Sequence, residues 1–100
     1  MKKLINDKNN IVEEEVEGMI KAFPDKLSRV ENEPIIIRKN KKVDKVALIS
    51  GGGSGHEPAH AGFVGYGMLD AAVCGEIFTS PGADKVYNAI KAVDGGRGVL

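Results

Sequence analysis

The sequence predicts an α/β fold, with strands alternating with helices in a largely parallel sheet. Three observations predict it. Val46-Ala47-Leu48-Ile49-Ser50 is a continuous apolar run of the kind carried by a strand buried on both faces. A glycine-rich stretch, Gly51-Gly52-Gly53-Ser54-Gly55-His56-Glu57-Pro58-Ala59-His60, follows it directly. The remaining order reads strand, glycine loop, short helix, strand, loop, helix, strand, the alternation of an α/β sheet.

Each element has its own signal. Asn10 can cap a first helix, with Glu13 at the third position of a capping box. Val12, Val16, Met19, Ile20 and Phe23 then recur at helical spacing, and Pro24 stops the run. Glu13, Glu14, Glu15 and Glu17 crowd the first turns, where the helix dipole favours negative charge, and read as a solvated face. Pro34 to Arg38 reads as a short strand, with Pro at its start where no ladder donor is lost. Lys39 to Lys42 reads as an exposed turn. After the glycine stretch, Met68 to Cys74 is a further strand. Ser80 and Pro81 open a second helix, as cap and first helical residue. Ala83, Val86, Tyr87, Ile90 and Val93 form its apolar face, and Gly95 ends it. Gly98 to Leu100 looks like the beginning of another strand.

The bulk numbers exclude several classes. With 42% apolar and 28% charged residues, the 100-residue chain has the mix of a soluble globular domain. Its 14 basic and 14 acidic side chains cancel, and no basic block gives a reason to bind nucleic acid. No apolar run approaches the roughly 20 residues of a membrane span, and the N-terminus lacks the apolar core of a secretory signal. Cys74 is alone and reads as a small buried hydrophobe in a cytoplasmic protein. Eight of the 13 glycines fall between Gly51 and Gly75, so backbone freedom is concentrated there.

The glycine stretch has to be weighed against known motifs. His56-Glu57-Pro58-Ala59-His60 spells the zinc-peptidase pattern H-E-x-x-H, which needs both His on one face of a continuous helix. Pro58 forbids that, because a proline is comfortable only in a helix's first turn. A helix beginning near Glu57 or Pro58 leaves His56 in the loop, and no third ligand is evident; no metal site is expected. No Gly-Lys-Ser/Thr triplet follows Gly51, a dinucleotide fingerprint fails at His56, and a nucleophile elbow around Ser54, with Gly52 and His56 as its outer residues, fails at His56 too. What is left is a run of glycines after a buried strand, where backbone N–H groups can meet a ligand closely. Ser54 adds a hydroxyl, the expected helix start adds a partly positive end, and His56 stands at the rim with an imidazole that can exchange protons near neutral pH. That set suits a small, oxygen-rich ligand whose hydroxyl must lose a proton. A tight strand-to-helix turn with no ligand explains the glycines equally well. His60 is expected to pack or to bond locally. Glu76, Thr79 and Ser80 lie at the second strand end; Glu76 is a conceivable base that nothing singles out.

The opening Met-Lys-Lys-Leu-Ile-Asn, the stretch Val46 to His60, and Gly75-Glu76-Ile77-Phe78-Thr79-Ser80-Pro81 together resemble the dihydroxyacetone kinase family, in particular its K subunit, along the whole chain. The resemblance implies a subunit that binds dihydroxyacetone and holds it as a hemiaminal on a His nitrogen. It implies a partner L subunit carrying a nucleotide and Mg, recharged by the sugar phosphotransferase system, so no cofactor is expected in this chain. It also implies a cytoplasmic K-subunit homodimer. Gly53, Ser54, Gly55 and His56 match the family's substrate loop, and His56 its catalytic acid/base. The family's substrate-binding Lys and Asp, and its hemiaminal His, match no position here; residues 1–100 are therefore expected to be an N-terminal fragment of a larger two-domain subunit. The alternatives are a triose-sensing regulator that transfers no phosphate, the ATP-dependent single-chain kinase, and, against Pro58, a metallopeptidase.

Overall fold

The computed structural model describes residues 2–40 and 44–100. The helices are α1 (Ile11–Ala22) and α2 (Ala83–Val93), and the strands are β1 (Leu27–Arg29), β2 (Ile35–Arg38), β3 (Ile49–Ser54) and β4 (Ala71–Ile77). They form one sheet in the order β1-β2-β4-β3. β1 pairs with β2 and β2 with β4 antiparallel, while β3 runs parallel to β4. The sheet is therefore mixed and mostly antiparallel, which corrects the expectation of a largely parallel one. The reason is β1, a three-residue strand too short and too polar to announce itself, which turns back at Val30–Glu33 to meet β2. A further parallel bridge joins Ala47 to Val99. The basic turn expected at Lys39–Lys42 extends outside the described residues.

Both faces of the sheet are covered. Val12 and Val16 of α1 pack with Leu27, Ile36, Ala72, Cys74, Ala61 and Val64 on one face. Ala89 and Val93 of α2 pack with Ile35, Ala47, Ala71 and Val73 on the other. β4 alternates its side chains between these two cores, so Ala71 to Gly75 are all buried.

Local boundaries depart from the sequence expectation for identifiable reasons. Asn10 precedes α1 but makes no side-chain cap bond. The chain instead enters through a short 3-10 helix, Lys8–Asn10, whose cap is the Asp7 carboxylate accepting from Asn9 N–H. Glu13 therefore forms no capping box; it receives Arg29 Nη1 and Nη2 at 2.8 and 2.6 Å and ties α1 to β1. Gly82, not Ser80, is the residue before α2. Its buried residues are Ala89 and Val93, with Tyr87 and Ile90 exposed, so the expected apolar face is rotated. No α-helix follows the glycine stretch. Residues 57–60 form turns and only the three-residue 3-10 helix Ala61–Phe63 follows.

Asp70, which nothing in the sequence marked, anchors the entry to β4. Its side chain is 5% exposed; it receives Leu48 N–H at 2.8 Å, Lys45 Nζ, and Arg38 Nη1 at 3.3 Å. Burial alone would raise its carboxyl, but the Lys45 and Leu48 hydrogen bonds, the Lys45 charge and Arg38 outweigh it and hold it below its ordinary value. A depressed carboxyl stabilises the fold above its unfolded value of 3.8, and that contribution is lost as pH falls through the lower folded value.

Two stability predictions follow from this packing. Asp70→Ala, which strips the partner from two cations, should destabilise by about 3 kcal/mol or more at pH 7, with the difference from the parent shrinking in denaturant titrations below pH 4. Gly75→Ala and Gly18→Ala should move stability in opposite directions. A Cβ at Gly75 would lie 2.1 Å from Thr79 O and 2.8 Å from Pro81 N, a backbone clash costing about 1–3 kcal/mol. One at Gly18 of α1 meets nothing within 4 Å and should add about 0.5–1 kcal/mol by helix propensity, read as opposite changes in Tm.

Candidate functional site

The register of β3 on β4 builds the site. Ile49 faces Ala71, Gly51 faces Val73 and Gly52 faces Cys74, with an irregularity between Gly52 and Ser54. The glycines are thus the second half of a strand rather than a free loop. They allow an approach no side chain permits. A Cβ on Gly51 would lie 2.7 Å from Val73 O, and one on Gly53 would lie 2.5 Å from Thr79 N. The segment after β4 crosses the end of β3 and is fastened to it. Phe78 N–H donates to Ser54 O at 2.7 Å, and Ser54 Oγ donates to Gly75 O at 2.8 Å. The two strand ends that the sequence placed near each other are neighbours because β3 and β4 are adjacent and parallel.

This arrangement assigns the four loop residues different places. Gly53 is pressed against the Phe78–Thr79 backbone. Ser54 is 2% exposed and spends its proton on Gly75 O, so it ties the two strand ends together rather than projecting a free hydroxyl. Gly55 has φ +121°, a conformation that side chains rarely adopt, and the Phe78 ring lies against it. His56 is exposed at the rim.

The two imidazoles meet over Gly52, the one glycine of the strand whose missing Cβ faces side chains and not backbone. A Cβ on Gly52 would lie 3.2 Å from His60 Nε2 and 3.9 Å from His56 Nε2. The rings stand edge to face with centroids 5.7 Å apart. His60 Nδ1 lies 3.0 Å from Ser50 Oγ, which holds its ring and leaves Nε2 turned to Gly52. His60 therefore bonds to the side chain of Ser50, ten residues earlier, and from a turn and not from a helix. Without a helix, the H-E-x-x-H residues share no helical face, and no partly positive helix end points at the site. Among the described residues no three His, Cys, Asp or Glu side chains are grouped so as to hold a metal ion. Glu76 and Ser80 are exposed, and Thr79 Oγ1 donates to Ile77 O at 3.2 Å.

Two residues that sequence reasoning passed over stand behind the loop. Glu57 Oε1 and Oε2 accept from Gly55 N–H at 3.2 and 3.0 Å. The Glu15 carboxyl of α1 stands beside that of Glu57 and shifts its ionisation. Burial first, then the hydrogen bond to Glu57 and its charge, push the Glu15 carboxyl up to about 7. Glu57 moves the other way. Burial opposes its ionisation, but the Glu15 hydrogen bond, the Glu57 and Gly55 amides and nearby His56 hold it below its ordinary value. Cys74 lies beneath; burial, with the two carboxylates adding, pushes its thiol up to about 11, which makes it an unreactive core residue. The signal that could have found Glu15 was its spacing, three residues after Val12 and four before Met19, which sets a carboxylate at the edge of the apolar stripe of α1.

Comparison with known proteins identifies the fold. Residues 17–100 match the model of the Dak1 domain. The chain is 57% identical over 100 residues to the PTS-dependent dihydroxyacetone kinase 1, dihydroxyacetone-binding subunit DhaK, of Listeria innocua, covering all of this chain and 30% of that protein. It superposes on the dihydroxyacetone kinase of C. freundii in complex with AMP-PNP and Mg2+ with a TM-score of 0.92 and 48% identity, covering 99% of this chain and 19% of that one. A dihydroxyacetone kinase operon co-activator, Dha-DhaQ, matches with a TM-score of 0.82 and 42% identity over 87% of this chain and 26% of that one. The chain spans less than a third of the length of these relatives. It belongs to the Dak1 domain family.

Proposed function

We propose that this chain is the N-terminal part of the dihydroxyacetone-binding subunit of a PTS-dependent dihydroxyacetone kinase, and that the end of β3 is where it holds the triose. The observation that carries the reading is the pair of Nε2 atoms poised over Gly52 at the carboxyl ends of two parallel strands. Ligands of α/β sheets sit at such strand ends. A three-carbon sugar is small enough to rest on the glycines of β3, and the Listeria innocua relative is a dihydroxyacetone-binding subunit.

In this reading Gly53 and Gly55 let the backbone approach the substrate, Ser54 locks the strand ends that carry it, and His56 is the acid/base. Its ring accepts the proton of the triose hydroxyl as that oxygen attacks the phosphoryl group, and the proton leaves later to solvent. The phosphoryl group comes from a partner L subunit, which would bring the nucleotide and Mg. In this reading the enzyme is cytoplasmic and works as a K-subunit homodimer; no helix among the described residues is long and apolar enough to cross a membrane.

A second reading is a triose-sensing regulator, favoured by the likeness to the operon co-activator. The ATP-dependent single-chain kinase is a third reading, favoured by the likeness to the dihydroxyacetone kinase of C. freundii in complex with AMP-PNP and Mg2+. A full-length subunit separates them. Incubation with dihydroxyacetone should give a covalent adduct mass, and adding the phosphorylated L subunit should give dihydroxyacetone phosphate; adduct without turnover would indicate the regulator. His56→Ala should keep the adduct and lose on the order of 10²–10⁴ in turnover. Unchanged turnover would remove His56 from its role.

A further inference from the structure

The acid/base role proposed for His56 requires that something hold a rim residue still. His56 is exposed and follows a glycine in a positive-φ conformation. The packing of Phe78 restrains Gly55 from one side. From the other, a single side chain reaches over: Glu57 closes a two-residue ring around the Gly55 amide, with both oxygens within 3.2 Å of one N–H. That contact spans His56 itself. Beside the Glu57 carboxyl stands that of Glu15, on α1, an element anchored in the core through Val12 and Val16.

We propose that Glu57 is a positioning residue for His56: clasped on the Gly55 amide, with Glu15 of α1 beside it, it holds the turn that aims the imidazole over Gly52. This inference rests on the triose-site reading above. It assigns α1 a task beyond covering the sheet, because the helix carries the outer end of the support. The Glu15–Glu57 contact needs one proton between two carboxyl oxygens. With that proton present, Glu15 O–H donates to the Glu57 carboxylate; without it, two negative charges face each other and the tie is lost. The titratable groups facing Glu57 are Glu15 from α1, Cys74 from β4 and His56 in its own turn, with His60 beyond the His56 ring. Cys74 stays neutral through the working range, so Glu15 is the group that releases the proton near pH 7. A raised carboxyl stabilises the fold in full below its ordinary value of 4.5 and loses that contribution as pH rises through about 7.

The test uses the full-length subunit with its phosphorylated partner, assayed from pH 6 to 9. Glu57→Ala should form the triose adduct like the parent and lose about tenfold to a hundredfold in kcat, the cost of a displaced catalytic group. Glu57→Gln, which keeps an acceptor for the Gly55 amide, should recover a large part of that loss. Glu15→Gln replaces the shared proton by a permanent N–H donor; the ratio of its kcat to the parent's should climb severalfold between pH 6 and pH 8.5. A Glu57→Ala variant with the parent's kcat, or a Glu15→Gln ratio flat across the range, overturns the inference. Should Glu57→Ala not fold, the Glu15→Gln ratio decides alone. His56→Ala, run beside them, separates the two claims: if it is as active as the parent, the site reading fails; if it is inactive while the Glu57 and Glu15 variants behave as the parent, only the positioning role fails.

Discussion

Contact of main chain against main chain along β3 and β4 is the constraint on which the rest of this molecule depends. Gly51 lies on Val73, Gly53 on Phe78 and Thr79, and Gly75 on Thr79 and Pro81. At each, even a methyl group would enter another residue's backbone. The result is a strand that carries almost no side chains yet is held on one edge by its ladder and at its end by Ser54 and Phe78. A bare, rigid strand end gives a small polar ligand access to backbone groups without the flexibility that glycine usually brings, because the neighbours remove the freedom that the missing Cβ provides. The imidazoles can converge over Gly52 for the same reason.

Around this contact the two cores have different tasks. The face under α2 is plain packing, with small residues on α2 and β4 letting the helix lie close. The face under α1 carries polar work at its margin. Arg29 and Glu13 fasten the helix to β1, and Glu15 meets the turn after the glycines. Cys74 sits between that margin and the core, and its suppressed ionisation keeps a thiol beside the site from competing as a nucleophile.

Much of this was legible in the sequence, and the gaps have physical causes. The helix stripe at Val12 and Val16 and the apolar runs of β2 and β4 were readable because periodicity reports burial directly. Strand direction was not, since it depends on β1, whose three residues carry no alternation worth reading. The glycines read as a loop because glycine weakens a strand; here β4 supplies the ladder and overrides that preference. The short helix expected after Pro58 is absent, so the argument against H-E-x-x-H holds for a stronger reason than the one that Pro58 supplied. The family resemblance located Gly53 to His56, but neither it nor residue types showed that Ser54 faces inward or that Glu15 and Glu57 meet. Those facts belong to register and to the placement of α1, which are long-range.

The claim at the centre is geometric: the glycine strand and the His56 imidazole form one surface that receives the triose. A crystal structure of the full-length subunit soaked with dihydroxyacetone tests it directly. The account predicts a triose hydroxyl within about 2.6–3.2 Å of a His56 ring nitrogen, resting at the carboxyl end of β3. A sugar bound away from Gly52 and Gly53, or a His56 ring swung off the strand with the sugar in place, would contradict it.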